Sequence, residues 1–224
     1  SSFVSWTFRN SPMFQVVSYS GTGSTSHTIN HSLGVSPAVI ILKRTNASAN
    51  WIYHQPSVHT PSQYLYLNGT NATLDDGGVN NFTNLTSTSF RIDSTWASTN
   101  ASGGTYVAYL FAHHANDGSA TGFGPDGDSP VISCGSYTAS NSGVEINLGF
   151  EPQWVMIKRT DSSQSWYIFD TMRGFTASDN PVTLKPDSSD AEGGLAKYRI
   201  TSTGFQWNSD SGDSGREYIY MAIR

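Results

Sequence analysis

The chain repeats itself, and this limits the folds open to it more than any other feature. Ser36-Pro37-Ala38-Val39-Ile40-Ile41-Leu42-Lys43-Arg44-Thr45 returns as Glu151-Pro152-Gln153-Trp154-Val155-Met156-Ile157-Lys158-Arg159-Thr160, at an offset of 115 positions. Trp51 with Trp166, and Thr86-Ser87-Thr88-Ser89-Phe90 with Thr201-Ser202-Thr203-Gly204-Phe205, keep that offset. Three separated blocks in one register predict two copies of one structural unit. Upstream, Ser18-Tyr19 and Ser136-Tyr137 stand 118 apart, so the register slips within a Gly/Ser/Thr-rich loop, where insertions are tolerated. A shorter echo links Phe3-Val4-Ser5-Trp6-Thr7-Phe8-Arg9 to residues 106–112 and 218–224. The expected organisation is a terminal strand of a preceding repeat at 1–12, β repeat 1 at 13–114, a Gly/Asp/Pro linker at 115–130, and β repeat 2 at 131–224.

Within each copy the apolar residues come in short runs rich in Val, Ile, Tyr, Phe and Trp, broken by Gly/Ser/Asn/Asp clusters about every ten residues, the spacing of an all-β sandwich or barrel. Strands are predicted in the first copy at 14–19, 27–30, 38–44, 51–54, 64–67, 89–93 and 105–112. Val39 to Leu42 and Val155 to Ile157 are apolar at consecutive positions, so both faces of that strand must be covered and it should lie centrally. The best helix candidate, Ser189 to Lys197, is interrupted by Gly193-Gly194. The expectation is an all-β chain of two tandem homologous β-sandwich (jelly-roll-like) repeats with little or no helix.

Charge narrows the partners. Twelve Lys plus Arg, scattered singly, against 17 Asp plus Glu leave a net charge of −5 and no basic stripe to neutralise phosphates, so nucleic acid is excluded as an expected partner. No apolar stretch reaches the roughly 18–20 residues of a membrane span, and no membrane insertion is expected. Cys134 stands alone, so stability has to come from packing and backbone pairing rather than an intrachain disulfide. Only 13% of the residues are charged, whereas roughly a quarter are Ser or Thr, a low charge for a soluble domain. Such surfaces suit neutral hydroxylated ligands or sister subunits, since charge is costly to desolvate.

Several features together carry a family resemblance: the Ser-Tyr followed by a Gly/Ser/Thr-rich turn, Leu33-Gly34, the Pro-led strand ending Lys-Arg-Thr, the Trp strand, and the terminal Tyr218-Ile219-Tyr220-Met221-Ala222-Ile223-Arg224. The chain resembles the tandem-repeat virion structural proteins of marine, cyanophage-type tailed bacteriophages, namely tail-fibre or appendage proteins. The resemblance implies a repeated β module of an extracellular particle assembled in the host cytoplasm. It also implies self-association, a homotrimer among the forms, with other virion proteins and a host cell-surface glycan as partners. A single cysteine fits a protein folded in a reducing cytosol.

Chemical motifs are sparse. Gly212-Asp213-Ser214-Gly215 is similar to a serine-protease nucleophile segment, but Arg216 follows and every His lies at or before His114, so it reads as a turn. No catalytic residue, metal ligand or cofactor is expected. The Asp-rich turns at 75–77, 126–128 and 210–213 offer oxygen ligands of the kind calcium takes, without the spacing of a known calcium loop. Aromatic rings remain, because Trp and Tyr faces stack on sugars while neighbouring Asn, Asp and Ser bind hydroxyls. Trp51 and Trp166 are equivalent in the two copies, which suits packing as well as glycan contact. Trp96 and Trp207 lie near strand ends beside polar loops and are the better candidates for surface glycan contact. The leading expectation is a virion protein binding glycans by multivalent weak contacts. The alternatives are a polysaccharide-degrading tail enzyme working through carboxylates among Asp170, Glu192 and Asp93, or a purely structural capsid-decoration protein.

Overall fold

The computed structural model describes Thr7 and residues 11–79, 81–113, 130–177, 181–195, 197–208 and 213–224. Most of the expected terminal strand at 1–12 and the expected linker at 115–130, apart from Pro130, lie outside the described residues.

The chain is all-β. Its first half forms β1 (Phe14–Ser20), β2 (His27–Asn30), β3 (Val39–Arg44), β4 (Ile52–His54), β5 (Gln63–Tyr66), β6 (Leu74–Asp75), β7 (Ser89–Ile92) and β8 (Thr105–Phe111). Each strand expected in this half is present to within one residue at either end; β6, at two residues too short to show a period, was not anticipated. The second half forms β9 (Ile132–Thr138), β10 (Val144–Asn147), β11 (Trp154–Arg159), β12 (Tyr167–Asp170), β13 (Val182–Thr183), β14 (Gly193–Gly194), β15 (Tyr198–Thr201), β16 (Gly204–Trp207) and β17 (Glu217–Ile223). The glycine pair that interrupts the helix candidate is thus itself a strand. Among the described residues the one helical element is a 3-10 turn, Thr171–Arg173, capped by the Asp170 carboxylate.

A large sheet of order β1-β8-β3-β4-β5-β6 and a β2-β7 ribbon make the first half; sheets of order β12-β11-β17-β9 and β10-β16-β15, with a β13-β14 hairpin, make the second. Among the described residues all strand pairings are antiparallel. β9-β17-β11-β12 repeats the order β1-β8-β3-β4, and β3 and β11 are both interior, as their continuous apolar runs require. The nested pairs β1-β8 and β2-β7 are those of a jelly roll, whereas β4, β5 and β6 extend the large sheet instead of joining the small one.

Side chains alternate across a strand, so the register sorts each large sheet into two apolar faces. In the first half Ile40, Leu42, Ala108 and Leu110 lie on one face, and Ile29, Phe90 and Ile92 of the small ribbon belong to the same core. Phe14, Ile41, Tyr53 and Tyr109 lie on the other. In the second half Val155, Ile157, Phe169, Tyr218 and Tyr220 pack with Tyr198, Phe205 and Trp207 of the small sheet. The opposite face, with Cys134, Met156, Ile168 and Met221, joins the core of the first half. The result is a four-layer stack in which the large sheets meet at the middle, and each fully buried aliphatic side chain there contributes about 1.5–3 kcal/mol. Hydrogen bonds stitch the halves together. Trp166 Nε1 donates to the Tyr66 carbonyl at 2.9 Å and Gln55 Nε2 to the Gly135 carbonyl at 3.0 Å. Gln164 N donates to Thr70 O, and Thr73 N to Thr160 O, both at 2.8 Å.

Candidate functional site

β5 begins at Gln63, and the two-residue period of a strand places Tyr64 and Tyr66 on one face. Trp96, in the loop after β7, leans on them: the Trp96 and Tyr64 ring centroids are 5.0 Å apart, and those of Tyr64 and Tyr66 are 5.5 Å apart. Three touching rings form a row whose two ends, Trp96 and Tyr66, are half-buried, while Tyr64 in the middle is buried. A polar chain backs the row. The Tyr64 hydroxyl donates to Asp76 Oδ1 at 2.8 Å, Asn81 Nδ2 donates to Asp76 Oδ2 at 2.9 Å, and Ser94 Oγ donates to Asn81 Oδ1 at 2.6 Å. Burial, joined by the bonds to Asp76 and Tyr66, pushes the Tyr64 phenol well above its ordinary value, so it stays a neutral donor. The half-exposed Asp76 carboxylate keeps acceptor capacity beside the rings.

The four tryptophans singled out from the sequence have separate fates. Trp96 stands where a surface role requires. Trp51 is half-buried, with the Lys43 ammonium 5.7 Å from its ring centre, and it borders a recess between the halves. Trp166 is 1% exposed, wedged edge-on against Tyr53 at 4.9 Å, and its glycan role is withdrawn on that ground. Trp207 corrects the expectation of a surface aromatic. It is 1% exposed because it shares the inward face of β16 with Phe205 and packs on Tyr198 at 5.0 Å and Tyr218 at 5.3 Å. Its two-residue spacing from Phe205 was the signal that could have placed it inside, just as the Tyr64-Tyr66 spacing could have revealed the row.

The repeated lysines also differ. Lys43 is half-buried and donates to the Ala49 carbonyl. Lys158, opposite Ile219 as Lys43 is opposite Val107, is 0% exposed and donates to the Arg159 carbonyl at 2.6 Å and to Thr70 O of the first half at 3.4 Å. Burial lowers its ammonium to about 8, against the opposing pull of Asp187.

The remaining motifs are occupied by structure. Asp75 Oδ1 accepts from Gly77 N, the geometry of an Asx turn. Asp213 holds Lys197 at 2.6 Å and Arg159 at 3.5 Å. Of the carboxylates considered for an enzyme, Asp170 and Glu192 both lie on Arg173, at 2.5 and 3.7 Å, while Asp93 pairs with Arg91 in the other half. Among the described residues no three of His, Cys, Asp and Glu gather into a group that could hold a metal ion. No helix among the described residues is long and apolar enough to cross a membrane.

A family model described as a domain of unknown function, DUF7483, matches residues 2–224. The chain belongs to the DUF7483 family. The DUF7483 match runs through both halves as one unit, consistent with the shared middle of the stack. No curated protein and no solved structure matches the chain.

Proposed function

We propose that this chain is a non-catalytic structural module of a phage virion, a tail-fibre or appendage component that holds host-surface glycans by many weak contacts. The observation that carries the glycan reading is the row Trp96-Tyr64-Tyr66, whose half-buried end rings, Trp96 and Tyr66, suit the apolar face of a pyranose, beside the Asp76 carboxylate, which can accept from its hydroxyls. The particle setting rests on the resemblance of the repeated motifs to virion proteins. Self-association and neighbouring virion proteins supply the multiplicity that turns weak sites into firm attachment.

The ion pairs around Arg173 weigh against a degrading enzyme. The buried Asp170 carboxylate already accepts from Arg173 N at 2.9 Å and pairs with the Arg173 guanidinium at 2.5 Å, so its oxygens are engaged in holding the turn rather than free to face a glycosidic bond. A glycan array combined with a reducing-sugar assay, run on the chain and on Trp96→Ala, tests the reading. Binding without cleavage that Trp96→Ala loses about tenfold or more supports it. Release of reducing ends would place the chain among polysaccharide-degrading enzymes, and silence in both assays would leave a purely structural, capsid-decorating role.

A further inference from the structure

Where the two large sheets stack face to face, a gap remains between them. Between them lies a recess of about 400 Å³, walled by Phe14, Trp51 and Tyr109 from the first half and by Trp154, Met156 and Met221 from the second. It does not touch the Trp96 row. We propose that this recess binds a neutral, flat aromatic small molecule of two or three fused rings.

Five observations choose that ligand. The volume falls within the range of small-molecule sites, about 300–1,000 Å³, whereas a stable protein partner needs roughly 800 Å² of surface on each side. No residue lining the recess carries a charge, so an ionised ligand would lose its hydration and gain no counterion. The lining's side chains offer as polar atoms only two indole nitrogens and one phenol, too few to satisfy a sugar's hydroxyls, which separates this site from a glycan site. Aromatic rings line the recess: Trp51 and Tyr109 have centroids 6.1 Å apart and are inclined by 31°. Met156 and Met221, directly opposed in register, supply polarisable and adaptable thioethers that pack well on aromatic carbon. Side chains facing an unfilled apolar gap forgo dispersion contacts that a planar hydrocarbon restores.

The test uses the full chain and N-phenyl-1-naphthylamine, a neutral fused-ring probe, followed by its gain in fluorescence and by quenching of tryptophan emission. The expected result is one saturable site per chain. Affinity should fall at least about tenfold for 8-anilino-1-naphthalenesulfonate, which adds a sulfonate to the same rings, and by a similar factor in Met221→Trp and in Leu67→Trp, which fill the recess from the second and first halves. Circular dichroism identifies any variant that has lost its sheet, and the other then decides. The sulfonate comparison on the unmodified chain decides independently of both. Absence of saturable binding, equal affinity for the sulfonate, or full affinity in a folded filled variant would overturn the proposal. A dimer that the filled variants dissociate, with no probe bound, would overturn it by assigning the recess to a second copy of the chain.

Discussion

The indole Nε1 of Trp166 donates to the carbonyl of Tyr66, so a tryptophan of one half caps a strand end of the other. Trp166→Phe keeps a ring and deletes the donor, leaving a carbonyl short of its partner, and should cost about 1–3 kcal/mol. Trp166→Ala also empties the wedge beside Tyr53 and should cost about 3–5 kcal/mol. Urea unfolding measures both, and a loss below about 0.5 kcal/mol in Trp166→Ala would show that the wedge does not hold the halves together.

Lys158 makes stability rise with pH above neutrality. Its folded value, about 8, lies below that of a lysine in an unfolded chain, so between the two the unfolded state binds more protons. The burden of a buried ammonium is therefore complete below pH 8 and lifts as pH climbs from 8 towards 10, a gain of order 2 kcal/mol. Above pH 10 the buried tyrosines, whose phenols are raised, oppose the trend. Lys158→Met should abolish the rise, and stability against denaturant at pH 7, 8, 9 and 10 reads it out.

Two buried histidines contribute to the loss of stability in acid. His54 and His59, with ring centres 5.7 Å apart, are buried and held neutral, their values lowered to about 4 and about 3 by desolvation. Both lie below the unfolded value, so their contribution is whole above about pH 6.5 and drains away as pH falls towards 4 and then 3. His59→Asn retains an acceptor for the Gln55 N–H while removing one titrating group, and the urea midpoint should then fall less steeply between pH 6.5 and 4. Unchanged steepness would show that His59 makes no such contribution.

Gly204 opposes Asn147 in the β10-β16 pair, and a Cβ there would stand 1.9 Å from the Ile146 carbonyl oxygen. The equivalent position in the first half is Ser89, which pairs with Asn30. Only the second half therefore depends on the missing side chain. Gly204→Ala should cost about 2 kcal/mol or more, whereas Ser89→Ala should stay within about 0.5 kcal/mol; thermal melts compare the two.

Much of the fold could be read from the residues and much of the site could not, for reasons visible at particular positions. β3 and β11 announced themselves because Val39 to Leu42 and Val155 to Ile157 leave no polar face, and the strands are interior. What covers the second face was not legible: a sheet buried by its own small sheet and by the other half has the same apolar run as one buried within a single sandwich. Trp51 and Trp166 illustrate the consequence. They hold the same register, yet the first half covers Trp166, while Trp51 borders the gap. Lys43 and Lys158 diverge for the same reason, since Thr70 reaches over only one of them. Trp96 was identifiable from its loop, but the row it completes needed the register of β5.

Joining the large sheets back to back gives the molecule a single melting unit. Neither half can open without baring a flat apolar face, so heating should give one calorimetric peak with equal calorimetric and van't Hoff enthalpies rather than two steps. A half produced on its own, deprived of its mate, would precipitate or pair with itself through that bared face.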